Sequence, residues 1–251
     1  MIYERRNRIV ELVNQKGTVN FAELMQMFPE VSEMTLRKDL KYLDGQQKLV
    51  RIHGGARSLS TIKGIDIPLQ ERLGQNIEKK RQIAQKASAL IQKNDTIFLD
   101  SGSTMTELAK AFPDESCLVF TAGISCAMAL SQKNNVNVYM LGGRLNKPSL
   151  SVRDSRVIQE LGNIYFDTAF ISVNGYAQEN GFSCRSAERW EMEKILLSRA
   201  GKIVVLMDSG KVGQICPFSI CQPHQIDMLI SDDEMDPDTH AALEGAGVEV
   251  L

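Results

Sequence analysis

Between residues 96 and 251 seven short apolar runs recur: Thr96–Asp100, Leu118–Thr121, Val136–Leu141, Thr168–Val173, Lys202–Met207, Met228–Ser231 and Val248–Leu251. Runs of this length suit strands rather than helices. The stretches between them are long enough to hold helices, as Met105–Phe112 does. Strands without polar alternation are covered on both faces, and strands joined through helices lie parallel. A further helix at Ile77–Gln92 carries Ile83, Ala87, Leu90 and Ile91 along one face. This region is expected to form a mainly parallel α/β sheet. Ligands of such sheets sit outside the carboxyl ends of the strands.

The first 57 residues follow a different pattern. Ile9, Leu12 and Val13 give a first helix over about Tyr3–Gln15. Asn20 followed by Glu23 makes a capping box, and Phe21, Leu24, Met25 and Phe28 make the apolar stripe of a second helix. Pro29 ends it. Ser32 then caps a third helix, with Leu36, Leu40 and Leu43 at i, i+4, i+7. Met34, Arg37, Lys38 and Lys41 share another face. An apolar back with a cationic front suits the DNA major groove, where the helix front reaches base edges and Lys or Arg meets phosphate. Lys48–His53 alternates like a strand and Gly54-Gly55 follows, as in a small wing carrying Arg51 and His53. Helix, helix-turn-helix and wing together predict a winged-helix DNA-binding module.

Charge is placed accordingly. Residues 1–57 hold ten Lys/Arg against seven Asp/Glu, leaving nineteen against twenty-four in the rest of a chain whose net charge is −2. A basic end on an acidic body is the footprint of nucleic-acid contact confined to that end. Cys117, Cys126, Cys184, Cys216 and Cys221 show no zinc spacing and no Cys-x-x-Cys pair. They read as small buried hydrophobes of a cytoplasmic protein, with Cys216 and Cys221 in a loop. No apolar run approaches the roughly 18 residues needed to span a bilayer. His224 and His240 stand far apart and make no site, Trp190 reads as packing, and Asp232-Asp233-Glu234 reads as a solvated acidic turn. No metal or cofactor is expected.

The chain resembles the DeoR family of bacterial transcription regulators. The resemblance is carried by Ser32-Glu-Met-Thr-Leu-Arg-Lys-Asp-Leu40, by Arg51-Ile-His-Gly-Gly-Ala56 and by Glu71-Arg72 through Glu78-Lys-Lys-Arg81, and it runs on through the second domain. The turn Phe28–Val31 is one residue longer than the usual pattern. The expected organisation is a winged helix-turn-helix over 1–57, a linker over 58–75, and an α/β effector-binding and oligomerisation domain over 76–251. Ser58, Ser60, Thr61 and Gly64 interrupt periodicity in the linker. Ser32, Met34, Thr35, Arg37, Lys38, Lys41, Arg51 and His53 are the expected DNA contacts.

Strand ends in the second domain carry anion-binding chemistry. In Asp100-Ser-Gly-Ser-Thr104, Gly102 permits close approach, Ser103 and Thr104 offer hydroxyls, and a helix start offers free N–H groups. Gly142-Gly143-Arg144 brings a cation beside two glycines. In Asp208-Ser-Gly-Lys-Val-Gly213, Lys211 can neutralise an anion and Asp208 can accept from a sugar hydroxyl. The resemblance implies a sensor domain similar to ribose-5-phosphate isomerase, with the Asp100–Thr104 loop holding a phosphate. It further implies roles for Thr121, Gly143, Arg144, Gly175 and Glu188 around a phosphorylated sugar effector. The chain departs from the family pattern at Ala122, where Asn is usual, and at Arg153 and Ser172, where Gly is usual or frequent. Arg153 is expected to fill part of the pocket or add an anion contact.

The reading that follows is a sequence-specific repressor of a sugar-metabolism operon, not an enzyme. It binds double-stranded operator DNA as a homo-oligomer, dimer or tetramer, and is released by a phosphosugar. The alternative is a sugar-phosphate isomerase with an appended helical domain, using Asp208, Glu188 and Lys211 as acid–base groups.

Overall fold

A computed structural model describes residues 2–52, 54–58 and 68–251. The chain divides into two compact units, 1–67 and 68–251.

The first unit contains α1 (Ile2–Lys16), β1 (Thr18–Asn20), α2 (Phe21–Met27), α3 (Glu33–Gly45), β2 (Val50–Ile52) and β3 (Gly55–Arg57). The capping box forms: Asn20 Oδ1 accepts from Glu23 N–H, and Glu23 Oε2 accepts from Asn20 N–H. Ser32 caps α3 by accepting from Thr35 N–H. Leu36, Leu40 and Leu43 pack with Ile9, Leu12, Val13, Leu24 and Phe28. Full burial of each such side chain contributes about 1.5–3 kcal/mol. Met25 stays 36% exposed, so the second helix buries a narrower stripe than expected. The longer turn closes tightly, with Val31 N–H donating to Phe28 C=O.

The wing is a three-stranded sheet in the order β1-β3-β2, all antiparallel. β1 and β3 are too short to read from a pattern. The two glycines serve different ends. Gly54 turns the chain at φ +82°, while a β-carbon on Gly55 would lie 2.1 Å from Val19 O of the neighbouring strand. His53 lies outside the described residues.

The second unit begins earlier than expected. α4 (Leu69–Leu73) falls within the stretch read as linker, with Leu69 buried and its N–H donating to Pro148 C=O. A five-residue helix shows no detectable period, and one buried leucine decides its place. Residues 59–67 of that stretch lie outside the description. The elements that follow are α5 (Ile77–Ser88), β4 (Thr96–Leu99), α6 (Ser103–Ala111), β5 (Cys117–Thr121), α7 (Ile124–Leu130), β6 (Val136–Met140), β7 (Arg144–Asn146) and β8 (Ser151–Arg153). Next come α8 (Ser155–Leu161), β9 (Phe166–Ser172), β10 (Gly175–Ala177), β11 (Gly181–Cys184), α9 (Ala187–Arg199), β12 (Ala200–Leu206), β13 (Phe218–Cys221), β14 (Met228–Ile230), α10 (Pro237–Gly245) and β15 (Glu249–Val250).

The seven expected runs form one parallel sheet in the order β15-β14-β12-β9-β4-β5-β6. Two apolar clusters cover it, one containing Phe98, Phe166 and Ile171, the other Ile97, Leu99 and Phe170. The chain runs from β4 to one edge through β5 and β6, and from β9 to the other through β12, β14 and β15. The direction of winding therefore switches between β4 and β9, which opens a crevice at their carboxyl ends. β7 pairs with β8, and β10, β11 and β13 form a second small antiparallel sheet. Cys221 sits in β13 rather than a loop, and all five cysteines are free and buried.

Candidate DNA-binding and effector sites

In the first unit α3 presents Glu33, Met34, Arg37, Lys38 and Lys41 to solvent. The back of the helix is held by a residue that periodicity missed. Asp39, 2% exposed, accepts from Arg5 Nε and Arg6 Nε, each at 2.7 Å. Charge-assisted bonds of this kind tie α1 to α3 and set the angle of the exposed face. Arg37 donates twice to Glu33 Oε1 and lies over the Phe21 ring, 4.6 Å from its centroid. Ser32 and Thr35 hydroxyls bond each other at 2.9 Å. Lys38 and Lys41 project one and two turns beyond Met34. Arg51 is exposed on β2, where its N–H donates to Asp44 Oδ1.

In the second unit the Asp100–Thr104 loop lies at the switch point. Asp100 is fully buried. Its Oδ1 accepts from Ser101 N–H; its Oδ2 accepts from Ser172 N–H, Ser172 Oγ and Arg189 Nη2. The carboxylate is thus committed to holding the loop against β9. Gly102, at φ +123°, turns the chain into α6, and no side chain caps that helix. The first-turn N–H groups are left for an outside acceptor. Ser103 and Thr104 sit in that turn.

Arg72 stands beside this helix start, and Lys211 and Lys80 lie within electrostatic reach of Arg72. A β-carbon on Gly102 would lie 3.6 Å from Arg72 Nη1. Lys211 Nζ stands 3.6 Å from Asp208 Oδ2. Burial pushes the Lys211 ammonium below the ordinary lysine range against the pull of Asp208, and the Arg189 and Arg72 charges push the same way. Lys80, 5% exposed, is lowered to about 8 by burial, then by Lys211, with Arg72 adding a smaller part. Its Nζ donates to Arg72 C=O and Gln75 C=O. Cations that depress one another favour an anion among them. The Asp208–Lys211 segment is pinned from outside: Asn76 Nδ2 donates to Asp208 Oδ1, Lys79 Nζ to Ser209 Oγ, and Ser209 N–H to Asp232 Oδ2. Asp232 is therefore a buried anchor, not part of a solvated turn.

A cleft beside the loop is lined by Ser101, Ala122, Ser151, Arg153, Glu188 and Arg189, among others. Arg153 donates to Ser186 Oγ and Ser149 Oγ. The Ser186 hydroxyl bond holds the Glu188 carboxyl below its usual range, and Arg144 Nη2 stands 3.8 Å from it. Three other expected residues serve the scaffold. Thr121 is buried with Oγ1 accepting from Gly123 N–H. Gly143 leaves room for Asp154 and Val152, and Gly175 is packed against the Gln214 carbonyl. Sequence reasoning passed over Arg72, Lys80, Arg189 and Ser172 as site residues. Arg72 and Lys80 lie within the stretch that carries the resemblance, while Arg189 gives no signal, because only folding brings α9 under the loop.

The buried side of that loop holds a strained charge arrangement. Arg189 Nη2 is also 2.7 Å from Glu193 Oε1. Glu193 is fully buried, and burial raises its carboxyl to about 8, with Asp100 adding to the rise and Arg189 opposing it. Trp190 on the same helix packs near Phe218 and donates to Ser219 C=O, a structural part as expected. No metal-binding group of His, Cys, Asp or Glu occurs among the described residues, and no described helix is long and apolar enough to cross a membrane.

A winged helix with a cationic α3, on a chain that also carries a parallel α/β unit, defines a DNA-binding regulator. The DeoR-like helix-turn-helix domain family matches residues 5–62, and the DeoR C terminal sensor domain family matches residues 75–233. The chain belongs to the DeoR family of transcriptional regulators and is not an enzyme. It is 32% identical to the HTH-type transcriptional regulator GolR of Listeria innocua serovar 6a, over 99% of this chain and 97% of that protein. It is 34% identical to the lactose phosphotransferase system repressor of Streptococcus mutans serotype c, over 93% of each. It is 29% identical to the transcriptional repressor GlcR of Bacillus subtilis strain 168, over 99% and 95%. Among solved structures, ribose 5-phosphate isomerase of Methanocaldococcus jannaschii aligns with 55% of this chain and 56% of that one, at 18% identity and TM-score 0.41.

Proposed function

We propose that the protein is a cytoplasmic repressor of a sugar-metabolism operon, released from its operator by a phosphorylated sugar. The observation that carries this reading is the uncapped start of α6 at Gly102 with Arg72 beside it, and Lys80 and Lys211 within electrostatic reach of Arg72. The phosphate sits on the α6 N–H groups with Ser103 and Thr104, and Lys211 supplies the counter-charge. The sugar extends past Ser101 toward Arg153, Glu188 and Arg144, with Asp208 accepting from a hydroxyl. Arg153 stands where the family resemblance implies glycine, so the ligand differs in shape from those that need glycine there.

On DNA, Ser32, Thr35, Arg37, Lys38 and Lys41 face the major groove, and Arg51 with His53 works in the wing. A homo-oligomer, dimer or tetramer, presents these modules in pairs to half-sites about 34–36 Å apart. Release requires the effector to prefer the low-affinity state. A hundredfold preference corresponds to about 2.7 kcal/mol of coupling.

The test is fluorescence anisotropy of the full chain on the DNA upstream of its own gene, at fixed salt, with a panel of sugar phosphates and their unphosphorylated sugars. Fixed salt is needed because affinity falls steeply with ionic strength. Release by one phosphosugar but not its free sugar is expected. Specific binding indifferent to the whole panel refutes the phosphosugar site, and no preference over random DNA refutes the operator reading.

A further inference from the structure

One side chain on the exposed face of α3 has no polar work to do. Met34 is second in the helix, 63% exposed, and joins none of the unit's core. A single exposed apolar residue is ordinary on a protein surface; its neighbours make this one informative. The hydroxyls of Ser32 and Thr35 are tied to each other, and Glu33 is tied to Arg37, which lies over Phe21. Lys38 and Lys41 continue the same face as exposed cations of phosphate reach. In the first turn, from which a recognition helix touches base edges, Met34 is the long side chain that engages DNA without surrendering an ion pair.

A thioether has no donor and is a weak acceptor, so it cannot read the polar code of a base edge. The major groove offers one apolar mark, the 5-methyl group of thymine. An unbranched, polarisable side chain adapts to such a methyl without strict geometry.

We infer that Met34 reads thymine: in each operator half-site its side chain packs on the 5-methyl of one thymine and so selects an A·T pair there. The inference rests on α3 being the recognition helix.

The operator is obtained by repeated selection from a random duplex pool with the full chain. Each thymine of a half-site is then replaced in turn by deoxyuridine, which removes the methyl alone, and affinity is measured by anisotropy at fixed salt. At one position the wild type weakens about three- to fivefold, the worth of one buried methyl. Met34→Ala binds the thymine operator equally weakly and ignores the replacement. Placing 5-methylcytosine at that position of a C·G variant recovers part of the wild-type affinity and none in Met34→Ala. Indifference to deoxyuridine at every position, or equal sensitivity in both proteins, overturns the inference. Lys38→Ala tells the two failures apart. If it weakens binding while deoxyuridine does nothing, α3 docks and Met34 does not read. If neither changes binding, the recognition-helix reading falls as well.

Discussion

Asp100→Asn separates a residue that holds the effector loop from one that touches the ligand. The substitution keeps size and one acceptor oxygen. Its amide nitrogen must face either Ser101 N–H or the group formed by Ser172 N–H, Ser172 Oγ and Arg189 Nη2. The cheaper choice places it toward Ser101, leaving one buried N–H unpaired at about 1–3 kcal/mol. Loss of the charge opposite Arg189 would by itself cost about 3–5 kcal/mol, as when one partner leaves a buried pair. Glu193, already 2.7 Å from the same nitrogen, offsets part of that by ionising. A net loss of about 3–5 kcal/mol follows, which for a unit of this size lowers the melting temperature by roughly 6–20 °C. Calorimetry of the full chain with and without saturating effector measures it. The surviving folded protein retains phosphosugar binding weakened by loop disorder, with a larger entropic cost. An unchanged melting temperature together with abolished binding would refute the reasoning, because Asp100 would then be a direct ligand contact and not a brace.

Other expectations are shorter. Glu193→Gln changes the pH dependence of stability. The folded state holds the Glu193 proton up to about pH 8, against an ordinary value of 4.5, so the stability it contributes is present below about 4.5 and lost as pH rises to about 8. The Gln variant shows a flatter profile and greater stability at pH 8 by chemical denaturation, and an unchanged slope would sink the assignment. Phosphosugar affinity falls as pH rises through about 8, where Lys80 loses its proton; calorimetric titration in buffers of different ionisation enthalpy should find proton uptake on binding, absent in Lys80→Gln. Asp39→Ala frees α1 from α3 and costs about 2–4 kcal/mol in the DNA-binding unit, given two charge-assisted bonds. Retained stability with normal operator affinity would contradict its bracing role. Gly55→Ala places a β-carbon 2.1 Å from Val19 O, so the wing opens and operator affinity drops at least tenfold; a wild-type affinity would mean the wing is dispensable.

Much of the architecture was legible because it is periodic. Each of the seven apolar runs became a strand of the parallel sheet, and the stripe Leu36, Leu40, Leu43 became the back of α3, since burial follows spacing within one element. Turn chemistry was legible for the same local reason: the Asn20–Glu23 box, the Ser32 cap and Gly54 act within a few residues. Short strands such as β1, β3, β7 and β8 were not, because three residues carry no period and pairing alone stabilises them.

The candidate effector site divides along the same line. The chain's own order determined that a glycine and two hydroxyls would stand where a strand meets a helix, and that Asp208 and Lys211 would end another strand. Only the tertiary structure decided what those groups do. It brought Arg189, 89 residues away in sequence, to Asp100 and so turned that carboxylate inward. It set Arg72 beside Gly102 and buried Lys80 near Lys211. The physical reason is range. Helix period, capping and turn preference are set by neighbours in the chain, whereas the free energy of a buried charge depends on every group that folding places around it.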